Sequence, residues 1–296
     1  MGTKDTSEKY LESFNDVFAD IYNVLLFGEE VIQPDTLRNG STEMTYKAEN
    51  SKIRSQSRDF QKNYNNSNIQ IASLGIENQS AIDRDMPIRV MGYDYTTYRS
   101  QIDSGELIRF PVITIVLNFS NQKWEYPTSL LDILEVPDEL KDYVQNYEIK
   151  VYDVAYLSKE IRDKFKSDFK VVADFFSERR TKTYRPENHT EEIKHVEAVL
   201  ELFRVFTDDE RYEEIKQNFL KKNNKGGRAT MCELLDEIEM RGERKGERKG
   251  EILAFIKMVF KNKITVEEVC NELNMTQPEF EKKMAEYQEE IYVFNA

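Results

Sequence analysis

The segment from residue 110 to 119, FPVITIVLNF, constrains the fold more than any other part of the chain. Valine, isoleucine and leucine fill its centre almost without interruption. Runs of this kind are typical of a strand that is covered on both faces, because a strand with one wet face alternates apolar and polar residues. We therefore predict a central β-sheet with helices packed against it.

The order of the elements around this strand predicts an α/β fold with a central mixed sheet. Apolar side chains follow helical spacing from Phe14 to Leu25, and Gly28 is placed to end that helix. The β-branched run that begins at Ile69 has the length of a central strand. The predicted elements are helices at 10–27 and 85–103 and strands at 44–46, 53–63, 69–77, 110–119 and 148–156.

Changes in periodicity divide the chain into three predicted segments. Its 296 residues are more than one compact domain usually needs. Residues 1–157 carry the strands, and the pattern in 158–240 is helical. Residues 241–296 open with Gly-Glu-Arg-Lys twice in succession, at 242–249. We predict a core, a helical extension and a small helical tail.

Two local signals predict how the tail folds. Thr265-x-x-Glu268 and Thr276-x-x-Glu279 are capping-box patterns, and each precedes an apolar helical stripe. The outline resembles a helix-turn-helix, but the last helix is rich in glutamate and DNA phosphate would repel it. We therefore expect the tail to bind a partner or to form a homo-oligomer.

Two acidic residues are the strongest candidates for a site. Asp59 and Glu77 lie 18 positions apart, and Glu77 closes the predicted strand. Because alternate residues of a strand share a face, Glu77 and Gln79 point one way and Asn78 points the other way. If the two segments are adjacent hairpin strands, their carboxylates can meet. The alternatives are a turn or capping role for Asp59 and a solvent-exposed strand end for Glu77.

Such a pair of carboxylates suits a hard divalent cation. Mg²⁺ and Mn²⁺ prefer oxygen ligands, and carbonyl or water oxygens would complete the shell. A cation of this kind polarises a phosphoryl oxygen and lowers the pKa of a bound water, as phosphodiester hydrolysis requires.

The pattern Asp59 … Glu77-x-Gln79 resembles the D…(D/E)xK motif of the PD-(D/E)XK nucleases. The chain is similar in particular to the Rpn group, recombination-promoting nucleases or putative transposases of bacteria. The resemblance implies a restriction-endonuclease-like core with a central mixed sheet flanked by helices, followed by a C-terminal helical region. The segments that carry it are 17–20, 23–27, 57–59, 74–80 and 86–94, with a looser match in the Gly-Glu-Arg-Lys repeat and the tail.

The resemblance also implies an activity, a metal-dependent DNA endonuclease associated with recombination or mobile elements. Asp59 and Glu77 would bind Mg²⁺ or Mn²⁺, and Gln79 would stand where the superfamily usually has lysine. Glutamine offers hydrogen bonds but no positive charge, so we expect lower activity. The fold often adds an acid on the first helix, where Asp16 and Asp20 are candidates and Asp20 is preferred.

The charge balance keeps a second hypothesis open. A net charge of −13 is unfavourable for a nucleic-acid binder, which needs lysine and arginine to neutralise phosphate. The alternative is a catalytically weak or inactive nuclease-fold protein that acts as a nucleic-acid or protein-binding module. Lys62, the pair Arg54 and Arg58, and the basic stretch 216–228 could contact phosphate, although ordinary surface charge explains them equally well.

Composition excludes several other classes. The two cysteines form no CxxC pair, which argues against a structural zinc site and a disulfide scaffold and fits a reducing cytoplasm. His189 and His195 do not form a HExxH pattern. No stretch approaches the roughly 20 apolar residues of a membrane span. We expect a cytoplasmic protein without a membrane segment.

Overall fold

The structure, a computed structural model, describes residues 10–40, 43–47, 53–57, 59–66, 69–105, 107–223, 227–261, 263–273 and 275–294. The chain divides into two compact units, Met1–Cys232 and Glu233–Ala296. The segments predicted as 1–157 and 158–240 therefore fall almost wholly into one unit. A contact across residue 158 shows why: Arg180 Nε donates a hydrogen bond of 2.8 Å to the carbonyl of Ala155.

A five-stranded mixed sheet forms the centre of the larger unit, in the order β1-β4-β5-β6-β7. β1 pairs with β4 and β4 with β5 in antiparallel fashion, whereas β5, β6 and β7 run parallel. β2 and β3 form a separate antiparallel pair. The predicted α/β class with a mixed sheet is confirmed. The strands are β1 (Leu37–Asn39), β2 (Glu43–Lys47), β3 (Ile53–Ser57), β4 (Phe60–Asn66), β5 (Ile69–Gln79), β6 (Val112–Asn118) and β7 (Lys150–Asp153).

Two helices cover opposite faces of the central strands. They are α1 (Asn15–Tyr22), which continues as a π-helical turn to Phe27, and α2 (Met86–Asp103). From β6, Val116 packs with Met86 and Val90 of α2. The hydroxyl of Tyr22 in α1 donates to the carbonyls of Gly75 and Ile113, at 2.6 and 2.9 Å. The burial that the apolar run at 110–119 predicts is therefore present.

The first predicted helix differs from the structure at its beginning. The helix expected over 10–27 is interrupted at Ser13 and Phe14, before α1 starts. The carbonyl of Ser13 accepts a 2.8 Å hydrogen bond from the Lys62 ammonium instead of serving only the helix. The predicted stop at Gly28 is confirmed, because this glycine adopts a φ of 73°, which residues with a side chain rarely adopt.

A second difference concerns the strand predicted over 53–63. The structure has two strands there, β3 and β4, and β4 continues past the predicted end at residue 63 to Asn66. An irregularity in the β4–β5 register at Tyr64 and Asn65 accommodates the polar run. Bulges of this kind let a strand continue through residues that otherwise favour turns.

Helices dominate the chain after β7. Aromatic contacts join α4 (Phe169–Thr181) and α5 (Val196–Thr207) to each other and to the end of β6. Phe175 of α4 stacks on Phe203 of α5 at 4.0 Å between ring centroids, and Phe119 after β6 contacts Phe176 of α4 at 5.3 Å. The α-helices are α3 (Lys159–Arg162), α4 (Phe169–Thr181), α5 (Val196–Thr207), α6 (Arg211–Asn223), α7 (Met231–Phe260), α8 (Val266–Leu273) and α9 (Gln277–Phe294).

The smaller unit is helical and has its own apolar core, made by Ile256, Val269, Leu273 and Phe280. Both predicted capping boxes are confirmed, because Glu268 accepts from the Thr265 backbone N–H at 2.9 Å and Glu279 from that of Thr276 at 3.0 Å. The Gly-Glu-Arg-Lys repeat falls within α7. Among the helices described, none is long and apolar enough to cross a membrane.

Candidate active site

The hairpin of β4 and β5 brings Asp59 and Glu77 together. Its register pairs Phe60 with Ile76, so Asp59, one residue before β4, lies opposite Glu77 near the end of β5. The backbone N–H of Asp59 is 3.5 Å from Glu77 Oε2, and Asp59 Oδ2 accepts a 2.8 Å hydrogen bond from the backbone N–H of Asn78. This is the adjacency on which the predicted site depends.

The side chains of β5 alternate between the two faces of the sheet. Glu77 turns toward α2, where Arg89 Nη2 donates to its Oε1 at 2.7 Å. Asn78 turns the opposite way and donates from Nδ2 to Glu12 Oε2 at 2.7 Å. Gln79 follows Glu77 on the same face. It is 8% exposed, and its amide makes no hydrogen bond among the residues that the structure describes.

Arg89 is the centre of a small ionic network on α2. Besides Glu77, its guanidinium contacts Asp83 Oδ2 at 2.8 Å and the Tyr93 hydroxyl at 3.1 Å. Burial would lower the pKa of Arg89, but the hydrogen bonds to Asp83 and Tyr93 and the charge of Glu77 outweigh it and raise that pKa. The cation is therefore permanent at any pH of interest.

The charges of both candidate carboxylates affect the pKa of the Tyr93 hydroxyl. Burial raises the pKa of its hydroxyl most, and the negative charge of Glu77 adds to the rise. Asp59 raises it further, whereas Arg89 lowers it. The negative charges of Glu77 and Asp59 therefore both act near the Tyr93 hydroxyl, which Arg89 also contacts.

The acids predicted on the first helix contact other parts of the chain. Asp20 Oδ2 accepts from the backbone N–H groups of Lys166 and Ser167, at 2.8 and 2.7 Å, and so holds the segment before α4. Burial raises the pKa of Asp20, although these hydrogen bonds oppose the rise. Asp16 lies 2.9 Å from Nε2 of His195. The structure gives both acids contacts that fix other segments.

The sequence prediction missed Glu12, the acid near the first helix that does reach β5. Glu12 is 1% exposed and accepts from Asn78 on the face of the sheet opposite Glu77. Its one local signal is the neighbouring Leu11, which is equally buried. A charge next to a buried residue is a weak pattern, because most such glutamates lie in solvent.

Arg89 was also missed, although its helix carries a usable signal. The buried residues Met86 and Tyr93 lie three positions before and four positions after Arg89, so all three share one face of α2. A cation within an apolar stripe is costly unless an anion meets it. The pattern could therefore have predicted a buried acid opposite Arg89.

The basic residues that the sequence offered as phosphate contacts are placed differently. Lys62 is 1% exposed, and its ammonium is enclosed by three oxygen acceptors, so it does not present its charge to solvent. In the 216–228 stretch, Lys216 contacts Glu201 and Arg228 contacts Glu192. The side chains of Arg54 and Arg58 lie outside the described residues.

The two histidines are paired separately. His189 lies 3.0 Å from Glu178, and His195 contacts Asp16. Across the described part of the chain, no group of three or more histidine, cysteine, aspartate or glutamate side chains is arranged to hold a metal ion. A site built wholly from protein side chains of these types is therefore absent from the described residues.

The donor set at Asp59 and Glu77 nevertheless suits an ion that keeps part of its water shell. Mg²⁺ is usually bound through one or two carboxylates, with waters and substrate phosphate as its other ligands. The network of Asp59, Glu77, Asp83 and Arg89 retains two negative charges, which one divalent cation would balance. Gln79 adds an amide on the face of Glu77. The residues present fit such an ion.

No curated protein and no solved structure matches the chain. A family model described as "putative transposase, YhgA-like" matches residues 56–209. The matched range covers more than half of the chain and includes Asp59, Glu77, Gln79 and Arg89, together with β4 to β7. This confirms the family resemblance that the sequence motifs carry. The chain belongs to the family of YhgA-like putative transposases.

Proposed function

We propose that the chain is a metal-dependent endonuclease that hydrolyses phosphodiester bonds in DNA. The observation that carries the proposal is the meeting of Asp59 and Glu77 at the end of the β4–β5 hairpin, with 3.5 Å between the Asp59 N–H and Glu77 Oε2. The family name connects relatives with transposition, which supports DNA as the substrate and an association with recombination or mobile elements.

The order of the elements supports a restriction-endonuclease-like core. A helix precedes the strands that form the hairpin, a second helix follows β5, and β6 then pairs parallel to β5. This arrangement is a mixed sheet flanked by helices, which the resemblance to PD-(D/E)XK nucleases implies. The acidic pair lies at the end of a central strand, close to the N-terminal turns of the second helix.

Each residue of the site has a distinct task in this proposal. Asp59 and Glu77 would hold Mg²⁺ or Mn²⁺, which when bound supplies a Lewis acid and a water of lowered pKa. The backbone N–H of Asn78 fixes the Asp59 carboxylate through its 2.8 Å hydrogen bond, and Arg89 donates to Oε1 of Glu77. Gln79 can donate a hydrogen bond to a phosphate oxygen or accept one from the attacking water.

A nicking assay on supercoiled plasmid, with Mg²⁺, with Mn²⁺ and with a chelator, tests the proposal. Asp59→Asn and Glu77→Gln keep the shape of each side chain and remove its charge. We expect each to lower the rate at least about 100-fold, since even partners behind a metal ligand affect activity by about that factor. Asp138→Asn and Glu210→Gln are matched controls, because these acids are 90% and 74% exposed.

Two results would contradict the site assignment: variants at Asp59 and Glu77 that cut as fast as the wild type, or equal cutting in the chelator. Full activity in the two control variants is required before a loss at Asp59 or Glu77 is interpreted. Circular dichroism of every variant checks that the helical content is preserved.

A second function, a DNA- or protein-binding module without catalysis, is favoured by two specific observations. Gln79 occupies the place of the motif lysine, and Arg89 occupies Oε1 of Glu77, an atom that a metal ion would use. Calorimetric titration with Mg²⁺ and Mn²⁺ separates the two functions. Heat of binding in the wild type that is lost in Glu77→Gln supports the nuclease, whereas no binding near millimolar metal supports the module.

A further inference from the structure

We propose that Arg89 is a catalytic residue that binds the DNA phosphate at this site and supplies the positive charge that Gln79 cannot. This inference rests on the proposed nuclease function and adds a residue to it. It concerns a side chain on α2, outside the strand motif that suggested the site.

The hydrogen bonds of Arg89 leave part of its guanidinium available. An arginine has five N–H donors in a planar fork. Three are engaged: Nη2 donates to Glu77 and to the Tyr93 hydroxyl, and Nη1 donates to Asp83. The remaining two, on Nε and Nη1, have no partner among the described residues. Each of these two donors can reach a phosphate oxygen by a single charge-assisted hydrogen bond.

The side chains of Arg89 and Glu77 differ in their exposure to solvent. The Glu77 side chain is 2% exposed, whereas that of Arg89 is 38% exposed. The Glu77 carboxylate is therefore enclosed, whereas the Arg89 side chain keeps contact with solvent, from which a phosphate can approach it.

The charges of the site also require a cation of this kind. Asp59, Glu77 and Asp83 would repel a phosphate diester. Arg89 cancels one of their three negative charges, and a single divalent ion balances the other two. With the ion bound, Arg89 keeps the site neutral instead of negative. Its position is set by Glu77, Asp83 and Tyr93, so little side-chain entropy is lost when phosphate binds.

Gln79 cannot perform this task, although it stands at the position of the motif lysine. It lies on the face of Glu77, but an amide carries no net charge and only two N–H donors. Arg89 reaches the same carboxylate from α2 at 2.7 Å. The charge that lysine supplies from the strand in related nucleases is therefore available here from the helix.

Three measurements on Arg89→Met test the inference, with Arg99→Met as the control. Arg99 lies on the same helix, is 57% exposed and pairs with Asp103. We expect Arg89→Met to lower kcat by about 100-fold, the effect of removing one donor that stabilises developing charge. In chelator, its DNA affinity should depend less steeply on salt, by about 0.9 in the log–log slope for one lost phosphate contact.

The third measurement does not depend on cleavage. Because Arg89 competes with a metal ion for Glu77 Oε1, calorimetric titration should show Mg²⁺ binding to Arg89→Met at least as tightly as to the wild type. A guanidinium that merely supports the shape of the site predicts the reverse, weaker Mg²⁺ binding. Arg89→Lys, which keeps the charge but not the fork, should retain the salt slope and recover part of kcat.

The inference is overturned if Arg89→Met retains both the wild-type kcat and the wild-type salt slope, or if Arg89→Met loses Mg²⁺ affinity as Glu77→Gln does. If Arg89→Met does not fold, Arg89→Lys decides, and an unchanged kcat overturns the inference. A wild type that neither cuts nor binds Mg²⁺ refutes the proposed nuclease instead. The salt slope in chelator then still shows whether Arg89 contacts DNA.

Discussion

Replacing Lys62 with methionine should destabilise the larger unit. Lys62 lies on β4 with 1% exposure, and its ammonium donates to the carbonyl of Ser13, Oδ1 of Asn15 and Oδ1 of Asn39, at 2.8, 2.7 and 3.1 Å. These acceptors belong to the chain before α1, to α1 itself and to β1. One side chain therefore ties the first helix and the edge strand to the centre of the sheet.

The magnitude follows from two opposing effects. Methionine keeps most of the apolar stem but removes the Lys62 donor from three acceptors, at about 1–3 kcal/mol each. Removing the ammonium also relieves the cost of burying its charge, which is on the order of several kcal/mol and opposes this loss. That cost is real here, since burial lowers the pKa of Lys62. We expect a net loss of about 2–4 kcal/mol in the free energy of unfolding.

Urea unfolding followed by tryptophan emission measures this loss selectively. Trp124 is the one tryptophan of the chain and lies buried in the larger unit, so its emission reports that unit. With a denaturant dependence of about 3 kcal/mol per molar urea, the midpoint should fall by about 1 M. Lys159→Met is the control, because Lys159 is 76% exposed and its pair with Asp163 should contribute less than about 1 kcal/mol.

The reasoning fails if the Lys62→Met midpoint equals or exceeds that of the wild type. That result would mean that relief from burying the ammonium outweighs the loss of its three acceptors. A shift of the same size in Lys159→Met would show that loss of any lysine charge, and not the buried contacts, causes the change.

Two further predictions concern other parts of the chain. Burial raises the folded-state pKa of Asp20, so its protonated form adds stability below the ordinary aspartate pKa, and that contribution is lost as pH rises through the raised pKa. In urea unfolding, Asp20→Asn should therefore become progressively more stable relative to the wild type from acid to neutral pH. The opposite trend would contradict this. Thr265→Ala removes a capping contact and should lower protection of the α8 amides from hydrogen exchange by about 1 kcal/mol without moving the Trp124 transition; equal protection would show that the cap contributes nothing.

The elements that the sequence predicted well are those whose pattern is local and long. β5, β6 and α2 each carry a periodicity that spans most of the element, and both capping boxes depend on residues three positions apart. The interruption at Ser13 could not be predicted in this way. It depends on Lys62, 49 residues away, whose burial becomes visible only once β4 is placed beside α1.

The same distinction separates the parts of the site. Asp59 and Glu77 belong to neighbouring strands of one hairpin, so strand pairing alone brings them together. Asp20 was preferred because it lies in a matching segment, yet its carboxylate binds backbone N–H groups 146 and 147 residues away. The positions of Arg89 and Glu12 depend on which helix or turn covers which face of β5, and periodicity does not specify that choice.

The distribution of charge bears on the proposed action of this acidic chain on DNA. Several cations outside the site are already occupied by carboxylates: Lys170 contacts Asp174 and Glu191, and Lys216 contacts Glu201 and Glu213. These pairs present little net positive charge to a phosphate backbone. Arg89 also contacts two carboxylates, but one of them is Glu77 of the candidate site. In the proposed nuclease, the divalent ion and Arg89 should therefore both contribute to DNA contact at the candidate site.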